Sequence, residues 1–164
     1  METLKKLIIE ERVRQTEKWG KQQLSLTGWL LVLQEEMGEV ARAMLDDDPE
    51  AARHQREEAV QVTAVVVQMC EWLSELHGWP CSAEELLDRT FLKYEFNLGD
   101  PATSYIQLTQ LVGAFAELIL SRANAHNDEI SKIARKLTIF GLELTYRLLD
   151  VEEVSDSLTI PMAK

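Results

Sequence analysis

Residues 56–67 read REEAVQVTAVVV. The reading of this stretch decides the fold. Its second half, rich in valine and threonine, has the composition of a strand. Length argues otherwise. No Gly or Pro occurs from Glu50 to His77, and an unbroken run of that length suits a helix and exceeds any ordinary strand. The spacing therefore predicts a helix capped by Asp48, with Pro49 at its first position, running to about Leu76 and closed by Gly78.

The neighbouring segments share this character. Leu4, Leu7, Ile8 and Val13 mark a helix over 3–18 that ends near Trp19-Gly20. Leu30, Leu33, Met37, Val40, Ala41 and Met44 mark a second from Trp29 to Leu45. Ser82-Ala-Glu-Glu85 is a capping box that opens a fourth helix, closing at Gly99. Asp100-Pro101 opens a fifth, to about Ala123, and Asn127 or Asp128 a sixth, to about Leu149. The expected class is all-α, a helical bundle.

Composition narrows function. The chain has 164 residues, enough for one domain or two very small ones, and a net charge of −11. That charge argues against a nucleic-acid backbone or an anionic membrane as partner. It leaves room for a phosphate-bearing small molecule, because a divalent cation can bridge acid to phosphate. Cys70 and Cys81 fit no disulfide framework or zinc spacing. His54, His77 and His126 read as surface or cap residues. No apolar run reaches signal-peptide or membrane-span length, so a cytoplasmic protein is expected.

One feature resists a purely structural account. The stretch LQEEMGEV, residues 33–40, sets Glu36 and Glu39 among apolar neighbours, three apart and so on one helix face. Glu58 and Gln61 repeat the spacing on the following helix. The connection between the two helices is short, so they should form an antiparallel hairpin. Glu39 lies about eight residues before the turn and Glu58 about eleven after it, which sets the pairs at similar height. Converging carboxylates repel unless a cation joins them. An oxygen-only set suits Mg²⁺ or Mn²⁺ and not zinc. The competing reading is a solvated acidic stripe steadied by Arg42, Arg53 and Arg56.

EEMGE, a short loop and then E-x-x-Q on the next helix resemble the MazG-like all-α NTP pyrophosphohydrolases. ERVRQTEKWG resembles the opening segment of that superfamily, REEAVQVTAVVV its third helix, and Lys93-Tyr-Glu-Phe-Asn97 the Lys-x-x-x-Asn near the end of its core. The match covers roughly residues 8–98. The resemblance implies a four-helix-bundle core and hydrolysis of a nucleoside triphosphate to the monophosphate and pyrophosphate. It implies Mg²⁺ on Glu36, Glu39, Glu58 and Gln61, with Glu35 a further ligand or the group that orients the attacking water. Lys93 would neutralise phosphate charge, Asn97 would hydrogen-bond phosphate or sugar, and Lys18 and Trp19 would close over the base. The chain departs from the superfamily at Gln61, where aspartate is usual. An amide oxygen still ligates Mg²⁺, with one negative charge fewer.

Residues 101–164 exceed what such a core needs. Displaced by 75 positions, LVLQEEMGEVARAML falls on IQLTQLVGAFAELIL, and EAVQVTAVVVQMCEWL on IARKLTIFGLELTYRL. Gly38 meets Gly113, and Thr63 meets Thr138. The acids do not persist: Glu36, Glu39, Glu58 and Gln61 meet Leu111, Ala114, Ile133 and Lys136. The expectation is a catalytic helical unit over 1–100 and, over 101–164, a hairpin that is a degenerate repeat packed on the first. One chain would then be a pseudo-dimer with one live site; an ordinary homodimer, or a capping hairpin of unrelated origin, is the alternative. A nucleotide-binding or sensing relative without turnover and a structural helical adaptor are the other function classes weighed.

Overall fold

A computed structural model describes residues 1–47, 49–96, 99–121 and 127–149. Six helices follow in order: α1 (Glu2–Trp19), α2 (Leu26–Leu45), α3 (Ala51–Leu76), α4 (Ala83–Lys93), α5 (Pro101–Leu120) and α6 (Asn127–Leu148). No strand occurs among the described residues, so the all-α expectation holds.

Several boundaries differ from expectation, each for a local reason. α2 begins three residues before Trp29, because the Ser25 hydroxyl accepts the Gly28 N–H at 3.1 Å and caps the helix there. α3 begins at Ala51 behind Glu50, which makes no side-chain cap, and Pro49 lies in the preceding turn. The cap expected from Asp48 lies outside the described residues. α4 stops at Lys93, well before Gly99, because Tyr94 turns extended at φ −126° and ψ 126°. α5 ends at Leu120; the expected end at Ala123 lies outside the described residues. The Ser82–Glu85 capping box forms in both directions, as read. Gly78 also closes its helix as expected. At φ 75° it lets its own N–H reach the Glu75 carbonyl and the Trp79 N–H reach the Ser74 carbonyl at 2.9 Å.

α3 is the central rod. Val62 through Met69 are all buried. One side of the helix enters a core with Trp29, Leu33, Met37 and Val40 of α2, Leu108, Val112 and Phe115 of α5, and Ala134, Leu137 and Leu144 of α6. The other side, through Ala64 and Val67, enters a second core with Leu4 and Ile8 of α1, Ala83 and Leu87 of α4, and Leu142 of α6. A helix covered on two sides has no polar face to keep, which is why VTAVVV looks like a strand in sequence. Each fully buried valine contributes about 1.5–3 kcal/mol over its exposed state.

The two halves match closely in position. α2 moved by 75 residues coincides with α5 at both ends. The buried residues Trp29, Leu33, Met37 and Val40 fall on buried Ser104, Leu108, Val112 and Phe115. Where α3 crosses α6, Thr63 meets Thr145 at 3.0 Å, and Cys70 meets Thr138 at 3.4 Å. Thr138 is Thr63 plus 75, and Thr145 is Cys70 plus 75. The two contacts are thus exchanged by one shift. Leu111 and Ile133 pack partly buried against the shared core.

A polar network ties α6 to the chain before α5. Glu143 and Arg147 are both nearly sealed from solvent, with carboxylate and guanidinium 3.8 Å apart. The Tyr94 hydroxyl donates to Glu143 at 3.1 Å, and Arg147 donates to the Asp100 carbonyl at 2.8 Å and to the Ser104 hydroxyl. Among the described residues no helix is long and apolar enough to cross a membrane.

Candidate functional site: an acidic cluster on the first hairpin

Glu36 of α2 and Glu58 of α3 lie half-buried where the hairpin faces α1. Burial raises the Glu36 carboxyl to about 7, helped by the negative charges of Glu58, Glu35, Glu11 and Glu39. Burial also raises Glu58, helped by Glu39, Glu57 and Glu11 and opposed by His54. The two pairs read from the sequence are therefore electrostatic neighbours across the hairpin. Glu35 and Glu39 stand at the exposed rim.

Two members of this cluster come from α1 and were missed by the sequence reading. Glu11 contributes to the fields at both Glu36 and Glu58. Arg14 grips both oxygens of Glu11 at 2.7 Å and reaches the Gln61 side-chain oxygen at 3.3 Å. Its guanidinium is stabilised first by Glu11 and further by Glu36 and Glu58. Gln61 in turn donates its amide to Glu58 at 2.8 Å. Buried Gln15 donates to the Gln61 carbonyl at 3.5 Å and so fixes α1 over this point. A Glu-x-x-Arg pair on a helix reads as an ordinary surface ion pair, so spacing alone offered no signal for it.

The cations expected to steady an acidic stripe do not all serve it. Arg53 pairs with Glu50 and Glu57 at the exposed start of α3. The Arg14 guanidinium feels the fields of Glu11, Glu36 and Glu58, and His54 that of Glu58. Among the described residues no group of three or more His, Cys, Asp or Glu is arranged to hold a metal ion. The acids share a field here without forming a coordination shell.

The remaining expected residues divide. Lys18 and Trp19 end α1 one turn beyond Gln15, the ammonium 4.3 Å from the ring centroid of its own neighbour. This pairing leaves the indole half-exposed. Lys93, at the end of α4, lines a cleft with Glu71, Ser74 and His77 of the distal end of α3. That cleft's lining includes none of Glu36, Glu39, Glu58 and Gln61. Asn97 lies outside the described residues. Cys70 and Cys81 are free thiols, as expected. Burial pushes the Cys70 thiol up to about 11, which leaves it inert at neutral pH.

Fold and site together define an all-α bundle with a carboxylate cluster let into one hairpin. No family model, no curated protein and no solved structure matches the chain.

Proposed function

We propose that the protein is a Mg²⁺-dependent nucleoside triphosphate pyrophosphohydrolase of MazG-like type, built as a single-chain pseudo-dimer with one live site. The observation that carries the reading is that burial, and then neighbouring carboxylates, raise both Glu36 and Glu58. Glu11, Glu36 and Glu58 lie partly buried with Glu39 at their rim, and the Arg14 guanidinium feels the fields of Glu11, Glu36 and Glu58. Carboxylates that raise one another's pKa favour a divalent cation. The donors, carboxylates and one amide, fit Mg²⁺ or Mn²⁺ by chemistry.

Glu36, Glu39, Glu58 and Gln61 would hold the metal. When bound it would polarise phosphoryl oxygens and lower the pKa of an attacking water. Glu35 at the rim would orient that water. Arg14, beside the acids, would offset charge on a phosphate brought to them. Lys18 and Trp19 would cover the base, the indole by stacking. The exchanged Thr63–Thr145 and Cys70–Thr138 contacts support the duplication, as do the coincident bounds of α2 and α5. At the positions 75 residues beyond Glu36 and Glu58, Leu111 and Ile133 pack apolar side chains against the shared core. A cytoplasmic location accords with a substrate drawn from the nucleotide pool.

Pyrophosphate release from a panel of ribo- and deoxynucleoside triphosphates, with and without Mg²⁺, tests the reading. Turnover should need the metal, and Glu58→Ala should lower it by about a hundredfold or more. No release from any member of the panel, or an unchanged rate in the Glu58 variant, would sink it. A second reading, nucleotide binding without turnover, is favoured by Gln61, whose amide nitrogen faces Glu58 where a carboxylate would add charge. Binding in the same panel without release would select it.

A further inference from the structure

Away from the acidic cluster, the distal half of α3, α4 and the first half of α6 enclose a cleft of about 530 Å³. Pockets of about 300–1,000 Å³ suit small organic ligands. In a chain of net charge −11 this cleft has the opposite character. Arg89 and Lys93 of α4 and Arg135 of α6 line it. None of the three makes a hydrogen bond or ion pair with a described residue. The one carboxylate on its wall, Glu71, is already committed. Arg12 donates to one of its oxygens at 3.0 Å, and the Ala83 N–H donates to the other at 2.9 Å.

The rim adds a flat apolar surface. Trp79 lines the cleft and is 81% exposed. Its backbone is fixed by the Gly78 turn and the Trp79 N–H bond to Ser74, so the indole is presented from a rigid base. Leu73, Leu86 and Ile139 supply apolar lining. Guanidinium groups match phosphate oxygens in a fork geometry, and an exposed indole stacks on a planar ring.

We propose that this cleft is a second ligand site, for an organic phosphate carrying a planar ring, of the nucleoside monophosphate class, bound without a divalent metal. The site is independent of the acidic cluster, and so is its test. Titration calorimetry would use the full chain in EDTA, where any metal-dependent reaction is silent. The probes are the adenosine, guanosine, cytidine and uridine monophosphates, with free adenosine and inorganic phosphate as half-ligands. At least one nucleotide should bind, with each half-ligand about tenfold weaker or worse. Arg135→Ser and Arg89→Ser, at exposed positions, should each weaken binding about tenfold, and Trp79→Ala by about five- to a hundredfold. Thermal melts establish that each variant is folded, and either arginine variant suffices alone. No binding of any nucleotide in EDTA overturns the proposal. So does binding that ignores both arginine variants, and so does inorganic phosphate binding as tightly as the nucleotides. Pyrophosphate release with Mg²⁺ is read separately, so the two proposals fail separately.

Discussion

The Arg14 guanidinium forks between Glu11 and Gln61, at 2.7 Å from one and 3.3 Å from the other, and so joins α1 to the acidic hairpin. Removing it leaves Glu11, Glu36 and Glu58 to repel one another. Arg14→Ala should lower the stability of the metal-free protein at pH 8 by about 1 kcal/mol, a value reduced because the side chain is half exposed. Added Mg²⁺ should stabilise this variant more than it stabilises the parent. Urea midpoints with and without Mg²⁺ measure both. An unaltered midpoint at pH 8 would show that Arg14 does not offset the cluster.

Glu36 sets a pH dependence of unusual sign. Its folded pKa is raised from 4.5 to about 7, so between these values the folded state holds a proton that the unfolded state has lost. The stability this adds is fully present below about 4.5 and is lost as pH rises through about 7. With screening at a half-buried site it amounts to about 1–2 kcal/mol. Glu36→Gln is fixed neutral and should remove this part of the slope between pH 5 and pH 8. Parallel slopes for variant and parent would refute the assignment.

Two glycines should respond in opposite ways to alanine. A Cβ at Gly113 meets nothing within 4 Å, so Gly113→Ala should stabilise by about 0.5–1 kcal/mol through helix propensity. A Cβ at Gly141 would stand 2.9 Å from the Thr63 hydroxyl, which is held between the Ala59 carbonyl and Thr145. Gly141→Ala should therefore cost about 1–3 kcal/mol despite the same propensity gain. Denaturation midpoints of the pair decide it, and a stabilised Gly141 variant would mean that α3 and α6 cross less closely.

The buried Glu143 should be costly to lose. Glu143→Ala strips a carboxylate from beside Arg147 in a place closed to water, and about 3–5 kcal/mol is expected. Tyr94→Phe removes one hydrogen bond to the same group and should cost about 1 kcal/mol. A larger loss from the tyrosine change than from Glu143→Ala would invert this ordering.

Much of this architecture was legible because it is written in local periodicity. The apolar spacing of α2, the Ser82–Glu85 box and Gly78 each act within a few residues. So does the hairpin that sets Glu36 against Glu58. At the 75-residue shift, buried positions recur, Leu33 with Leu108 and Met37 with Val112. What escaped depends on how distant elements dock. Nothing in the order of residues ties Arg14 to Gln61, 47 positions on, or Tyr94 to Glu143. The early end of α4 and the Ser25 start of α2 turned on backbone angles and a single hydroxyl, which apolar spacing does not report. Lys93 was grouped with the acids by resemblance, and only the fold shows that it lines a cleft whose wall includes none of them.

The core shared by α2, α3, α5 and α6 closes within one chain. A bundle assembled from two separate hairpins falls apart on dilution, because its partner's concentration enters the equilibrium. Here the second hairpin is tethered to the first, and its effective concentration is set by the connecting segment and not by how much protein the solution contains. This core should keep the same melting temperature when the protein is diluted a thousandfold.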